Sequence, residues 1–402
     1  MKVNTGHLTY CTNIHAGKNW TKDFQALKQN FPDIKQQVSP DQPMGLGLRL
    51  SHEASLQLSN PDDLMAFKQW LQEQGAYVFT MNGFPYGDFH RTTVKENVHA
   101  PDWTTAERKD YTIRLFQLLE SLLPNGMDGG ISTSPLSYRH WFKNKEDLEL
   151  AKQAATHQLI EVVKVLIDIH KEKGKLLHLD IEPEPDGLLE TGREFIDWFE
   201  NELLVLGIPM IAQHFNLSAH EAENLLKKHV CLCYDVCHFA IGYENHEAVL
   251  AELRQKRIGV GKIQISAALK ANLNGTAEHR ALIKTNFALF DEPTYLHQVV
   301  ALKKDGSLIR YPDLSPALAA IDDNDIIEWR SHFHVPISIK ETGLLQSTQD
   351  DIVSLLGLQK TNPFTNHLEV ETYTWEVLPE PMKLPIAQSI SNELNWVIDT
   401  LA

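Results

Sequence analysis

The 402-residue chain carries little positive charge and few cysteines. Its 37 basic residues against 53 acidic ones leave a formal net charge of −16, and no dense Lys/Arg tract offsets it, so we exclude a nucleic-acid partner. Its four cysteines do not form a disulfide framework in a chain of this length. No apolar stretch is long enough to span a membrane, and "MKVNTGHLTY" has no apolar signal region. We therefore expect a cytoplasmic protein that is not an integral membrane protein.

Short apolar runs alternate with longer helix-period segments along the whole chain, without repeats, low-complexity tracts or Gly/Ser linkers. This alternation predicts an α/β fold of the (β/α)8 TIM-barrel type, formed as a single domain by residues 1–402. Two alternating runs around Lys304-Asp305-Gly306 predict a β-hairpin insertion at about 294–314. The alternative is a doubly wound open sheet, for which "GVGK" at 259–262 is the only phosphate-loop-like sequence.

Nine segments have the composition of strands, which is one more than an eight-stranded barrel needs. They are 7–15, 45–51, 76–84, 129–135, 175–183, 230–239, 261–266, 330–338 and 367–375. Two of the intervening helices have clear ends: one begins after Asn60 and ends at Gly75, and the other covers 146–173 and ends at Gly174. In a barrel of this kind we expect the functional side chains at the C-terminal ends of the strands.

Carboxylates and imidazoles recur at these predicted strand ends. The polar residues there are Glu182, Glu184, Asp235, His238, Gln264, His332, His334, Glu369 and Glu371. Several carboxylates inside an apolar barrel repel one another unless a cation neutralises them. The pattern therefore predicts one divalent metal, and oxygen-rich ligands with one imidazole suit Mn, Mg, Co or Zn. The alternative for any single carboxylate is an ion pair with Arg49 or Arg330, or an exposed position.

Three of these segments, "LDIEPEP", "YDVCH" and "VETY", resemble in this order the metal-binding strand ends of the xylose-isomerase-like TIM-barrel superfamily, which includes sugar isomerases and epimerases. The whole chain, particularly "YCTNIHAGKNW" and residues 82–103, resembles the metabolite-traffic protein E family of bacterial Ebo clusters. The resemblance implies that Glu182, Asp235 and Glu371 bind the metal and that His238 lies near the substrate. It also implies a functional link to other Ebo-cluster proteins.

The fourth metal ligand has two candidates. Epimerases of the superfamily supply a histidine from the strand after the aspartate strand, but here "GKIQIS" offers Gln264, and His332 and His334 follow one strand later. Either the insertion displaced the histidine strand or Gln264 has taken the position. We favour His334, because a neutral imidazole binds such metals far better than an amide oxygen does. We expect His332 to be a hydrogen-bonded core residue.

The resemblance implies an isomerase- or epimerase-like protein that acts on a small polyhydroxy or sugar-like metabolite through an enediolate. Glu182 and Glu371 come from well-separated strands and are the expected catalytic acid and base. The expected substrate contacts are His238, Gln264, Asn82 and His15. The alternative is a non-catalytic protein that binds and traffics a metabolite in the same metal pocket. A hydrolase of the endonuclease branch is disfavoured by the acidic net charge.

Residues 231–239, "CLCYDVCHF", hold three of the four cysteines. Alternate residues on a strand lie roughly 6.6 Å apart, whereas sulfurs that share a zinc ion lie within about 4 Å of each other. We therefore expect Cys231 and Cys233 to pack as small apolar residues. Cys237, which is nearer the loop, is the one candidate for a reactive thiol.

Overall fold

The computed structural model describes residues 1–402, and its main feature is a barrel of parallel strands. The strands in chain order are β1 Lys2–Val3, β2 Gly6–Tyr10, β3 Met44–Arg49, β4 Ala76–Asn82, β5 Gly129–Thr133, β6 Leu177–Ile181, β7 Val230–Asp235, β8 Val260–Ile265, β9 Ala267–Asn272, β10 Val299–Lys303, β11 Leu308–Tyr311, β12 Ile326–Val335, β13 Glu341–Thr342, β14 Leu345–Ser347 and β15 His367–Val370. The barrel order is β2, β15, β8, β7, β6, β5, β4 and β3. This order confirms the predicted (β/α)8 barrel and excludes the open-sheet alternative.

The barrel is nearly closed between β2 and β3. A single parallel bridge joins Cys11 to Gly47 there. The hydroxyl of Thr9 accepts a hydrogen bond from the Gly47 N–H at 2.9 Å, and the hydroxyl of Thr12 accepts one from the Arg49 N–H at 2.8 Å. Side-chain oxygens therefore replace part of the backbone ladder at the seam.

Helices surround the barrel between its strands. They are α1 Trp20–Val38, α2 His52–Leu58, α3 Pro61–Gln74, α4 Ala106–Leu122, α5 Lys145–Lys173, α6 Gly192–Trp198, α7 Leu204–Phe215, α8 Ala219–His229, α9 Val236–Ile241, α10 His246–Lys256, α11 Ala277–Phe287, α12 Leu314–Ala319, α13 Gln349–Thr361 and α14 Ile386–Leu401. Asn60 caps α3, and Gly75 and Gly174 end α3 and α5 in the left-handed conformation, as predicted. None of the helices combines the length and apolar character that crossing a membrane requires.

The strand candidate in excess of eight is 330–338, which does not belong to the barrel. It forms the second half of β12 in a separate antiparallel sheet of order β11, β10, β12, β9, β14 and β13. The predicted hairpin is present as β10 and β11, but the inserted sheet is larger than predicted and runs from β9 to β14. Apolar alternation is the same in barrel and insert strands, so the sequence pattern alone does not separate them.

Most of the predicted barrel strands extend past their observed C-terminal ends, and two of them matter for the site. The segment 230–239 stops being a strand at Asp235, because the Asp235 side chain accepts the His238 N–H at 3.1 Å and starts α9. The segment 367–375 stops at Val370 and continues into a 3₁₀ turn at Tyr373–Val377. Because these two strands end early, Asp235 and Glu371 lie at the C-terminal mouth of the barrel.

The inserted sheet lies against this C-terminal mouth. Arg330 of β12 donates to the Ala240 carbonyl in α9 at 2.7 Å, and the Nδ1 of His334 lies 3.2 Å from the Glu371 carbonyl oxygen beyond β15. A hydrophobic cluster of 91 buried residues runs through both the barrel and the insert. The expectation that residues 1–402 form one domain stays a prediction.

Candidate metal and active site

Three carboxylates converge at the C-terminal mouth around one amide nitrogen. Glu182 follows β6, Asp235 ends β7 and Glu371 follows β15. All three side chains accept a hydrogen bond from the Nε2 of Gln264 on β8, at 3.1, 3.2 and 2.6 Å. An amide NH₂ has only two hydrogens, so it cannot fully satisfy three carboxylates. We call Glu182, Asp235, Gln264, His334 and Glu371 the upper site.

Hydrogen bonds from neighbouring residues hold the carboxylates of Asp235 and Glu371 in place. Asp235 accepts from the Ser266 hydroxyl at 2.7 Å and from the His238 N–H. The Oε1 of Glu371 accepts from the side-chain amides of Asn13 at 2.7 Å and Asn82 at 2.9 Å. The upper site is therefore held rigidly, as a preorganised binding site needs to be.

The charges of the upper site are unbalanced. Burial, reinforced by the negative charges of Asp235 and Glu369, raises the pKa of Glu371 to about 8. Burial and the charges of Glu371 and Asp235 also raise the pKa of Glu182 well above its ordinary value. Burial acts to raise the pKa of Asp235 too, but the nearby imidazoles of His238 and His334 and the hydrogen bonds it accepts lower it overall. Without a cation, protons must neutralise this group of carboxylates.

His334 presents a free nitrogen to the upper site. Its Nδ1 donates to the Glu371 carbonyl, and its Nε2 is buried without a hydrogen-bond partner. Burial lowers the pKa of His334 to about 4, so the ring is neutral and Nε2 carries a lone pair. Donor atoms of His334, Asp235 and His238 lie within 4.8 Å of one another. These residues therefore fit a divalent metal, since three carboxylates and a neutral imidazole are suitable ligands.

Gln264 differs from His334 in what it offers to the centre. Its Nε2 faces the carboxylates, while its Oε1 accepts the Cys233 thiol at 3.1 Å. In this orientation the amide is a donor and supplies no ligand oxygen. The geometry thus favours His334 over Gln264 as the fourth ligand. Gln264 is 0% exposed and does not line the cleft above the carboxylates, so its contact with a substrate stays a prediction.

A cleft of about 580 Å³ opens above the carboxylates. Aromatic side chains and paired polar groups line it, among them Phe84, Phe89, Tyr295, Tyr373, Asn82, His99, Glu184, His238, Gln298 and His332. Asn82 and His238 therefore occupy the predicted substrate-facing positions. His15 does not line the cleft, because its Nε2 pairs with the Tyr10 hydroxyl at 3.3 Å.

Two pairs of polar side chains form the wall of the cleft. His99 and Glu184 are 2.9 Å apart, and the Nε2 atoms of His238 and His332 are 3.1 Å apart. The Nδ1 of His332 pairs with Gln298 at 2.9 Å, so this histidine is hydrogen-bonded on both sides. Sequence reasoning missed His99, although it lies within the residues 82–103 used for the family resemblance.

The cysteines are not ligands of the upper site. Cys231, Cys233 and Cys237 are all buried and free, as packing residues are. Cys237 is 0% exposed, and burial raises the pKa of its thiol well above the ordinary value. Both observations argue against the reactivity considered for Cys237, because a reactive thiol needs access and a lowered pKa.

A buried ion pair lies below the upper site. The Nζ of Lys262 is 2.6 Å from the Oε2 of Glu369, and both side chains are fully buried. Burial acts to lower the pKa of Lys262, but the charge of Glu369 raises it overall, so the lysine stays charged. Lys262 therefore belongs to the barrel interior and is not available to bind a substrate phosphate.

No protein-family model matches the chain, and no curated protein matches it. Among solved structures it is similar to the IolI protein with a bound zinc atom, at 15% identity and a TM-score of 0.47 over 98% of each chain. It is similar to AsbF of petrobactin synthesis from Bacillus anthracis, at 9% identity and a TM-score of 0.42 over 97% of each chain. For 3-keto-D-glucoside 4-epimerase from E. coli, the identity is 14% and the TM-score 0.35, over 79% of this chain and 97% of that one.

At these identities and TM-scores the similarities carry no inference about activity. The barrel follows from the strand order of the chain itself. Membership of the metabolite-traffic protein E family stays a prediction.

Proposed function

We propose that the chain is a divalent-metal-dependent isomerase- or epimerase-like protein that acts on a small polyhydroxy or sugar-like metabolite through an enediolate. The observation that carries this proposal is the convergence of three carboxylates on the Nε2 of Gln264, at 2.6 to 3.2 Å. His334, whose Nε2 has no hydrogen-bond partner, has a ring nitrogen within 4.8 Å of a ligand atom of Asp235. Glu182, Asp235, Glu371 and His334 would hold the metal, which is Mn, Mg, Co or Zn.

The protein groups around this centre have the properties that proton transfer at carbon needs. When bound, the metal would polarise the oxygens of a hydroxy-carbonyl compound and make a neighbouring carbon-bound hydrogen acidic. In the metal-free protein burial raises the pKa of Glu371 to about 8. A bound cation would lower this pKa, so that the Glu371 carboxylate could accept a proton from the substrate near neutral pH. Glu182 comes from β6 and Glu371 from the end of β15, so the two carboxylates reach the substrate from different sides.

The wall of the cleft supports a substrate rich in hydroxyl groups. The pairs His99–Glu184 and His238–His332 offer both donors and acceptors, which orient hydroxyls. Tyr295 and Tyr373, whose ring centres are 5.1 Å apart, give the cleft an apolar side against which a small ring can pack.

Hydrogen exchange with the solvent tests the proposed chemistry. The full-length protein, reconstituted separately with Mn²⁺, Mg²⁺, Co²⁺ and Zn²⁺, is incubated in D₂O with a panel of ketoses, aldoses and keto-glycosides. We expect loss of one carbon-bound proton signal in the NMR spectrum of at least one compound, and only with metal present. Absence of exchange into every compound that binds the metal-loaded protein would overturn the catalytic proposal.

The second candidate function is binding without catalysis, in the service of metabolite trafficking. One observation favours it: the Gln264 amide already occupies the point on which the carboxylates converge. A compound that binds with the same affinity to the metal-loaded protein and to the Glu371→Gln variant, and never exchanges hydrogen, would support it. The trafficking role and the link to other Ebo-cluster proteins rest on the family resemblance, and the cytoplasmic location stays a prediction from the sequence.

A further inference from the structure

A second group of metal-ligating side chains lies at the opposite, N-terminal mouth of the barrel. It consists of Asp128, just before β5, His178 and Asp180 on β6, and His367 at the start of β15. Donor atoms of Asp128, His178 and His367 lie within 4.8 Å of one another. We call these four residues the lower cluster. His178 and Glu182 are four positions apart on one extended segment, so about 13 Å separates the lower cluster from the upper site.

Both ring nitrogens of His367 in the lower cluster lack hydrogen-bond partners. His367 is also 0% exposed. Its Nε2 lies 3.8 Å from one oxygen of Asp128, and the Nε2 of His178 lies 3.8 Å from the other. These distances are too long for hydrogen bonds. They are close to the separation of about 3.4 Å between two ligands of one tetrahedral zinc ion.

Asp180 orients the ring of His178 toward Asp128. Its Oδ1 lies 2.6 Å from the Nδ1 of His178, so Nδ1 donates to Asp180 and Nε2 faces Asp128, where a bound metal ion would replace the proton on Nε2. A carboxylate behind a ligating histidine is the usual arrangement at zinc sites. Two glycines make room for the pair, because a Cβ at Gly130 would lie 2.5 Å from the Oδ2 of Asp180 and a Cβ at Gly261 would overlap its Oδ1.

We propose that Asp128, His178 and His367 bind a second divalent transition-metal ion, of the zinc class, at the N-terminal mouth of the barrel. Two imidazoles, which lose their ligating protons on binding, and one carboxylate suit Zn²⁺ or Co²⁺ and are a poor site for Mg²⁺ or Ca²⁺. Asp128 is 30% exposed, which leaves a route for the ion and a place for a water ligand. Because β6 and β15 are separated by β7 and β8 in the barrel, the ion would connect strands that do not pair with each other.

This proposal does not rest on the proposed function, and metal counting separates the two. The full-length protein is stripped with a chelator, dialysed against Zn²⁺ or Co²⁺, and its bound metal measured by mass spectrometry. We expect two equivalents in the natural chain. The double variant Glu182→Gln, Glu371→Gln, which disables the upper site, should keep one equivalent, and His367→Gln should also keep one.

The Co²⁺ absorption spectrum gives a readout that does not depend on activity. In the Glu182→Gln, Glu371→Gln background the remaining Co²⁺ should show visible bands, and adding His367→Gln should remove them. Asp128→Asn provides the same test if His367→Gln does not fold. The matched control is His229→Gln, which alters another buried histidine near this end of the barrel and should leave the count at two.

Two outcomes would overturn the proposal. One is that the double upper-site variant binds no metal. The other is that His367→Gln and Asp128→Asn both bind as much metal as the natural chain, in which case a proton on His178, placed between two carboxylates, holds the lower cluster together. A single equivalent that survives in the upper-site variant and is lost with His367→Gln would support the lower cluster and count against the upper site.

Discussion

The two mouths of the barrel differ in the kind of polar side chains that they bury. At the C-terminal mouth, three carboxylates surround one amide, and negative charge is in excess. At the N-terminal mouth, two imidazoles face one partly exposed carboxylate, and unpaired nitrogen lone pairs are in excess. The first arrangement favours hard or borderline cations and proton transfer, whereas the second favours zinc-like ions.

The same strands supply both ends. β6 carries His178 at its start and Glu182 just beyond its end, and β15 carries His367 and Glu371 in the same way. Between the two layers, Lys262 and Glu369 neutralise each other in the barrel interior. Alternate residues of a barrel strand face the interior, so one strand can supply a polar side chain to each mouth. The comparison teaches that one barrel can hold two separate polar centres in this way, provided that the layer between them is electrically neutral.

The largest expected effect is on the rate of hydrogen exchange, which should depend on the upper site and not on the lower cluster. Glu371→Gln should slow hydrogen exchange into a substrate by about 10²- to 10⁴-fold, because it removes the group that moves the proton. The measurement is the NMR exchange rate under metal saturation. The matched control is Glu244→Gln, since Glu244 is a partly buried carboxyl whose pKa is also raised by burial, to about 7, but lies outside the cleft. An unchanged exchange rate in Glu371→Gln would remove Glu371 from the mechanism.

The buried ion pair of Lys262 and Glu369, which lies between the two mouths, can be disrupted without changing either site. Lys262→Met leaves the carboxylate of Glu369 buried and unpaired, so the free energy of unfolding should fall by about 3–5 kcal/mol. Urea unfolding measures this change. Adding Glu369→Gln to Lys262→Met should restore most of the lost stability, because no uncompensated charge then remains. A single variant as stable as the natural chain would show that the ion pair does not isolate the two ends.

A smaller loss of stability is expected when the space that Gly261 leaves for the Asp180 carboxylate is filled. Gly261→Ala places a methyl group where the Oδ1 of Asp180 lies, which should displace the carboxylate and destabilise the protein by roughly 1–3 kcal/mol. It should also weaken Zn²⁺ binding at the lower cluster and leave the upper site unaffected. Gly357→Ala is the control, since a Cβ at Gly357 meets no atom within 4 Å. Equal effects of both substitutions would contradict the role given to Asp180.

The pH dependence of stability gives the most specific contrast. In the metal-free protein, the pKa of Glu371 is raised to about 8, so between about pH 4.5 and 8 the folded state binds a proton that the unfolded state lacks. Stability from this group is complete below that range and is lost as the pH rises through it. Its contribution is at most about 1.4 kcal/mol per pH unit. Glu371→Gln should flatten the curve there.

The lower cluster should titrate in a different window. Burial acts to lower the pKa of His178, but the charges and hydrogen bonds of Asp180 and Asp128 raise it overall to about 9. Stability from His178 in the metal-free protein is therefore full below about pH 6.5 and is lost as the pH rises through about 9. Thermal unfolding between pH 5 and 10, with and without Zn²⁺, measures both windows. Curves that do not change with Glu371→Gln or His178→Gln would contradict the assignment.

The fold and the carboxylates of the upper site were predictable from the sequence for one physical reason. Parallel strands of a barrel all end at the same mouth, so Glu182, Asp235 and Glu371 are brought together wherever the strand ends are recognised. The helix ends at Gly75 and Gly174 were predictable because each glycine takes a left-handed backbone conformation. None of these predictions required knowing which side chains touch.

Other features depend on contacts that a pattern does not encode. The histidines of β12 belong to an inserted sheet, but their strand has the same apolar alternation as a barrel strand. The central hydrogen bonds of Gln264 depend on the bulge between β7 and β8, where the pairing register shifts at Cys233. The lower cluster joins residues of β6 and β15 through the barrel interior, and Asp128 comes from a loop. The signal that could have revealed it is the repetition of His178 and His367 at strand starts.

The inserted sheet also determines when the barrel can close during folding. β8 and β15 are neighbours in the barrel, yet Gln264 and Glu371 are 107 positions apart in the chain. Closing a loop of this length instead of a typical connection of about 25 residues costs only about 1.2 kcal/mol of chain entropy, but it raises the contact order and slows folding. The insert pairs mostly with itself, so we expect β15 to dock late. Glu371 and His367 would then arrive together, and metal uptake at either mouth would report that the chain has finished folding.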